Sequence, residues 1–77
     1  MLTRKSRNWK AFIQRLSGPE GCNFRGYRKR RFTCHHDYRF TRRIMADMGY
    51  NRTEIEESII YFQSKGGYCD CEVVFNV

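Results

Sequence analysis

The chain has 77 residues, of which 40% are apolar, 16% aromatic and 30% charged, with a formal net charge of +7. That length allows a single domain over residues 1–77 with a thin core, because a chain this size buries only about 60% of the surface its unfolded form exposes, and it excludes a large catalytic cleft between domains. The aromatic content excludes a disordered tail, and no apolar run approaches the roughly 18 residues that span a bilayer.

In chain order, Met1-Leu2-Thr3-Arg4-Lys5-Ser6-Arg7 is basic but leads into no apolar stretch, so secretion is disfavoured and a cytoplasmic location is expected. Trp9, Phe12, Ile13 and Leu16 recur at helical spacing and predict a helix over about Ser6 to Leu16. Thr3 or Ser6 is its expected cap, and Gly18 is expected to end it in the left-handed conformation before Pro19. From Cys22 to Cys34 turn formers mix with aromatics, and Arg30 to Cys34 is expected to be a short strand. A second helix is predicted from Thr41, as its cap, to Met48, with Gly49 just past its end. A third runs from about Arg52 to Lys65. Asn51 and Glu54 stand at capping-box spacing, and Gly66-Gly67 stop the helix. Tyr68 to Val77 alternates with period two. Cys69, Cys71, Val73, Phe75 and Val77 share one parity, so a half-buried strand is expected there. The expected fold class is therefore α+β: about three helices packed on a short two-stranded antiparallel sheet.

Charge is distributed unevenly. Residues 1–43 carry thirteen Lys and Arg against two Asp and Glu, a balance of +11, whereas residues 44–77 carry −4. A basic half attracts polyanions through its long-range field. Its densest cluster is Arg28-Lys29-Arg30-Arg31, preceded by Arg25 and flanked by Tyr27 and Phe32. Basic side chains neutralise phosphates, and aromatic faces stack on unpaired bases. The same aromatics also suit a core.

Small scaffolds need a staple, and four cysteines offer one. On a strand, Cys69 and Cys71 project from one face, so with Cys22 and Cys34 they are expected to complete a closed tetrahedral Zn²⁺ site. His35 or His36 is the substitute for Cys22. Buried or redox thiols and two disulfides are the alternatives; the reducing cytosol argues against disulfides.

The string Gly66-Gly67-Tyr68-Cys69-Asp70-Cys71-Glu72-Val73, closing with Asn76-Val77, resembles the signature of a small bacterial family of unknown function. The upstream Cys34, Thr41 opening a helix and Gly49 after it match the same pattern. Gly18-Pro19-Glu20-Gly21-Cys22-Asn23-Phe24 is similar to versions from photosynthetic bacteria. The resemblance spans roughly residues 6–77. It implies a shared fold and a shared thiol cluster, but no activity. This chain departs from the family in placing His35-His36 where small residues usually follow the upstream Cys.

The expected function is that of a non-enzymatic, zinc-stabilised binding module. Arg25, Tyr27, Arg28, Lys29, Arg30 and Arg31 would form its surface for nucleic acid, RNA ahead of DNA, or for an acidic protein. One alternative is a regulatory or assembly adaptor, docked by its bipolar charge and a few aromatic anchors. A second is a thiol-redox protein built on the C-x-C pair. No Ser/His/Asp order, glycine-rich phosphate loop or carboxylate pair stands out, so no enzyme is expected.

Overall fold

The computed structural model describes residues 1–22 and 36–77. Four helices make up the regular structure there: α1 (Trp9–Ser17), α2 (Arg39–Asp47), α3 (Arg52–Ser64) and α4 (Asp70–Asn76). There is no strand among the described residues, so the expected α+β class is corrected to all-α. The strand expected over Arg30 to Cys34 lies outside them.

The decisive correction is α4, where a strand was expected. The period-two reading puts Phe75 inside, yet Phe75 is 65% exposed. A helical stripe runs through the same residues: Asp70 and Val73 are fully buried, and Val74 and Val77 are half-buried. These positions stand at i, i+3, i+4 and i+7, the spacing of one helix face. The stripe escapes a hydrophobicity reading because its first member is charged. Asp70 and Glu72 in the first turn also favour a helix over a strand, since negative charge there opposes the helix dipole.

The other helices follow their sequence signals closely. α3 starts with a complete capping box: the Glu54 N–H donates to Asn51 Oδ1 at 2.8 Å, and the Asn51 N–H donates to Glu54 Oε1 at 3.0 Å. Its end is a Schellman turn through Gly66, whose φ is +89°. The Gly67 N–H reaches Phe62 O at 2.7 Å, and the Gly66 N–H reaches Gln63 O at 3.1 Å. α2 ends the same way through Gly49, as expected, with φ at +98° and the Tyr50 N–H bonded to Met45 O at 3.0 Å.

α1 differs in its caps. Thr3 and Ser6 form a separate turn before the helix: the Ser6 N–H reaches Thr3 O at 2.9 Å, and the Thr3 N–H reaches Ser6 Oγ at 2.9 Å. Asn8 occupies the cap position without a side-chain bond. Gly18 is extended rather than left-handed, with φ −88° and ψ −169°. The glycine this turn requires is Gly21, where a Cβ would stand 2.1 Å from Leu16 O. That close approach lets the Cys22 N–H reach Leu16 O at 2.7 Å and seats Cys22 against the core.

The core gathers one face of each helix. The Phe12 and Phe62 rings stack at 5.9 Å, and Trp9 lies 5.4 Å from Phe12 and 5.8 Å from Phe62. Aromatic pairs at these distances add about 0.5–1.5 kcal/mol beyond their area burial. Leu2, far from α3 in sequence, is fully buried, and its N–H donates to Ser58 Oγ at 2.8 Å. The N-terminal arm is thereby tied to α3.

Candidate functional site

Cys22, Cys69 and Cys71 are all buried and belong to the same apolar cluster as Phe12, Phe62 and Val73. Cys69 occupies the cap position of α4 in extended conformation, and its thiol lies 3.7 Å from Glu72 Oε1. Cys71 is within the helix, so the strand geometry that would put both sulfurs on one face is absent. No three His, Cys, Asp or Glu side chains among the described residues form a group that could hold a metal ion. Cys34 and His35 lie outside those residues. His36 is exposed and has φ at 59°, a left-handed conformation that His tolerates better than most residues.

Asp70, between the two cysteines, ties the start of α4 to the start of α2. Its carboxylate is fully buried and accepts from the Thr41 N–H at 2.9 Å, the Thr41 hydroxyl at 2.6 Å and the Phe40 N–H at 3.2 Å. Thr41 is therefore not the cap of α2, which begins two residues earlier after Tyr38 and has no capping bond of its own. Two aspartates outside the cap position do that work. Asp37 takes the Arg39 N–H at 3.1 Å, and Asp70 takes the next two, Phe40 and Thr41. The Asp70 N–H in turn donates to Asp37 O at 2.9 Å, so the starts of α2 and α4 are latched to each other. Tyr38 seals the same corner, its hydroxyl donating to Gly67 O at 2.5 Å. Burial pushes the Tyr38 hydroxyl above its ordinary titration range, while a hydrogen bond with Gln63 pulls the other way. This latch is structural, and reading the alternation of Cys69 to Val77 as a strand concealed it.

The basic residues fall into two groups. Arg15 pairs with Glu20 and with Asp47, each at 2.7 Å. Arg39 pairs with Asp37 at 3.1 Å, and Arg42 pairs with Glu56, whose carboxyl it holds below the usual carboxylate range. Arg43 stacks over the Phe40 ring at 5.5 Å and donates to Glu20 O. By contrast, Arg4, Lys5, Arg7 and Lys10 are exposed and make no ion pair among the described residues. Arg4 and Lys5 join Lys65, from the end of α3, in an open groove of about 480 Å³ lined also by Thr3, Tyr61, Asn76 and Val77. No Asp or Glu lines it.

The sequence-predicted surface of Arg25, Tyr27, Arg28, Lys29, Arg30 and Arg31 lies outside the described residues. Sequence reasoning missed the groove because Arg4 and Lys5 stand some sixty positions from Lys65. The available signal was the spacing of Tyr61 and Lys65, four apart on α3, which puts the Lys65 ammonium 6.0 Å from the ring centroid.

Residues 22–76, well over half of the chain, match the family described as "Protein of unknown function (DUF2695)". The chain belongs to that family. No curated protein and no solved structure matches it. The matched DUF2695 segment takes in the latch, all four cysteines and α2 to α4, whereas α1 and the N-terminal arm precede it. The groove is thus built where the DUF2695 segment meets residues of the preceding arm. No described helix is long and apolar enough to cross a membrane.

Proposed function

We propose that this DUF2695 protein is a small, non-catalytic binding module whose basic surface takes nucleic acid, single-stranded RNA first. The supporting observation is the division of its cations: Arg15, Arg39 and Arg42 are matched by carboxylates and Arg43 donates to a backbone carbonyl, while Arg4, Lys5, Arg7 and Lys10 stand exposed without an ion pair among the described residues. Unmatched surface cations cost little to keep and, on neutralising phosphates, release the counterions condensed on the nucleic acid. By sequence, Arg25, Arg28, Lys29, Arg30 and Arg31 add to this charge, and Tyr27 adds an aromatic face. In this reading the Gly66 to Val73 string is the family's characteristic segment. Zinc is part of the proposal: Cys22, Cys34, Cys69 and Cys71 would supply the four ligands, with His35 or His36 as the substitute for Cys22. Metal analysis of protein purified without added zinc tests that part separately.

The binding test is a salt titration with a short single-stranded RNA. Affinity is expected to fall steeply as salt rises. Replacing Arg4, Lys5, Arg7 and Lys10 by Ala is expected to flatten the slope by about 0.7 for each phosphate no longer neutralised. Replacing Arg28, Lys29, Arg30 and Arg31 by Ala should flatten it again. Absence of binding at low salt, or a slope unchanged in both variants, overturns the proposal. One observation favours a second reading, that of an adaptor for a protein complex: Ile60, Tyr68 and Phe75 are large apolar side chains left mostly exposed. Co-purification of a defined protein partner, lost in Phe75→Ser and insensitive to nuclease, would support the adaptor instead.

A further inference from the structure

The groove at the end of α3 collects three permanent positive charges from two distant parts of the chain. Arg4 and Lys5 arrive on the N-terminal arm and Lys65 on α3; no Asp or Glu lies on the lining, which Val77 completes. Like charges gathered this way repel each other unless an anion sits among them. The arm is also positioned, not merely adjacent. Leu2 is buried and bonded to Ser58, and the Arg4 N–H approaches the Tyr61 hydroxyl oxygen at 3.4 Å. That contact uses Tyr61 as an acceptor, so its own O–H remains a donor. On the far wall Asn76 is fixed by the bond from its Nδ2 to Gly66 O at 2.9 Å. Arg supplies a planar two-pronged donor and Lys a point charge, the combination that suits a phosphate dianion. A volume of about 480 Å³ lies within the range of small-ligand sites, and the Tyr61 ring offers an adjacent flat face.

We propose that this groove is a phosphomonoester-binding site, in which Arg4, Lys5 and Lys65 hold the phosphate and Tyr61 lies beside the attached base. The phosphate can belong to a free nucleotide or to the 5′ end of an RNA strand; the second source rests on the RNA-binding reading above.

The experiment titrates the full chain by calorimetry with AMP, adenosine, and a 12-nucleotide RNA with and without a 5′-phosphate. AMP is expected to bind and adenosine to bind at least about tenfold more weakly, since charge-assisted hydrogen bonds supply the difference. Arg4→Ala and Lys65→Ala should each weaken AMP about tenfold or more. Lys65→Arg should restore most of the loss. Arg52→Ala removes the same charge about 20 Å away along α3 and should change nothing. Thermal melts of each variant confirm that the fold is retained. Equal binding of AMP and adenosine, no binding of AMP, or indifference to Arg4→Ala and Lys65→Ala overturns the site. If RNA still binds in those cases, the binding-module reading survives without the groove. If AMP binds through Arg4 and Lys65 but no RNA does, the groove stands and the RNA reading falls. A preference for the phosphorylated RNA end identifies the strand as the source, and its absence alongside AMP binding identifies the free nucleotide.

Discussion

At the junction of α2 and α4, one fully buried carboxylate meets three donors. At the open end of α3, three exposed cations meet no acid side chain at all. Both places concentrate charge, but only the first uses it within the fold. Asp70 can be buried because both its oxygens accept hydrogen bonds, and its charge is offset by the first N–H groups of α2. Arg4, Lys5 and Lys65 stay in water, where their repulsion is weak and screened. Charge that is buried and satisfied holds the chain together, whereas charge that is exposed and unanswered remains available to a partner.

This contrast can be broken or sharpened by substitution. The largest effect is expected from Asp70→Ala, which strands the Phe40 and Thr41 N–H groups at a buried helix start. A loss of about 3 kcal/mol in urea unfolding is anticipated, a large share of what a domain this size has. A loss below about 1 kcal/mol would show that the latch is not structural. Asp70→Asn keeps the shape but turns an acceptor into a donor facing donors, and should cost about 2 kcal/mol. Thr41→Val removes one hydroxyl while leaving the two backbone bonds, so about 1 kcal/mol is expected from the same denaturation.

Tyr38 gives the region an alkaline pH dependence. Its hydroxyl titrates above the ordinary tyrosine value of 10.0 in the folded state, chiefly through burial. The folded chain then holds this proton more tightly than the unfolded chain. Stability is unaffected below the ordinary value and falls as pH rises through the folded one. Alkaline melts should therefore show a decline that Tyr38→Phe reduces. The smallest effect belongs to the groove: Arg4→Ala with Lys5→Ala should shift stability by no more than about 0.5 kcal/mol in either direction. A larger loss would mean that these cations hold the arm in place and are not spare.

Much of this fold was legible. The Trp9 to Leu16 stripe, the Asn51–Glu54 box and the glycines at 49 and 66 each carry a signal that is readable within a few residues of the chain. What failed were positions where distant residues decide. Thr41 looks like a cap but is a donor to Asp70, because Asp37 and Asp70 supply the capping from outside. Cys69 to Val77 alternates like a strand, but a buried aspartate completes a helical stripe that hydrophobicity does not register. The same misreading supported the same-face geometry of Cys69 and Cys71. Of the candidate site, the excess of basic side chains in the first half of the chain was plain from composition. Its meeting with Lys65 was not, since that depends on Leu2 reaching Ser58.

The anchoring of Leu2 has a practical consequence for anyone handling this protein. Met1 is largely exposed while its neighbour is enclosed, so an affinity handle fused ahead of Met1 can extend into solvent without disturbing the interior. Trimming just two residues, by contrast, removes a fully buried side chain from the core and leaves the Ser58 hydroxyl without its long-range partner. Recombinant versions should thus be lengthened at this end and never shortened.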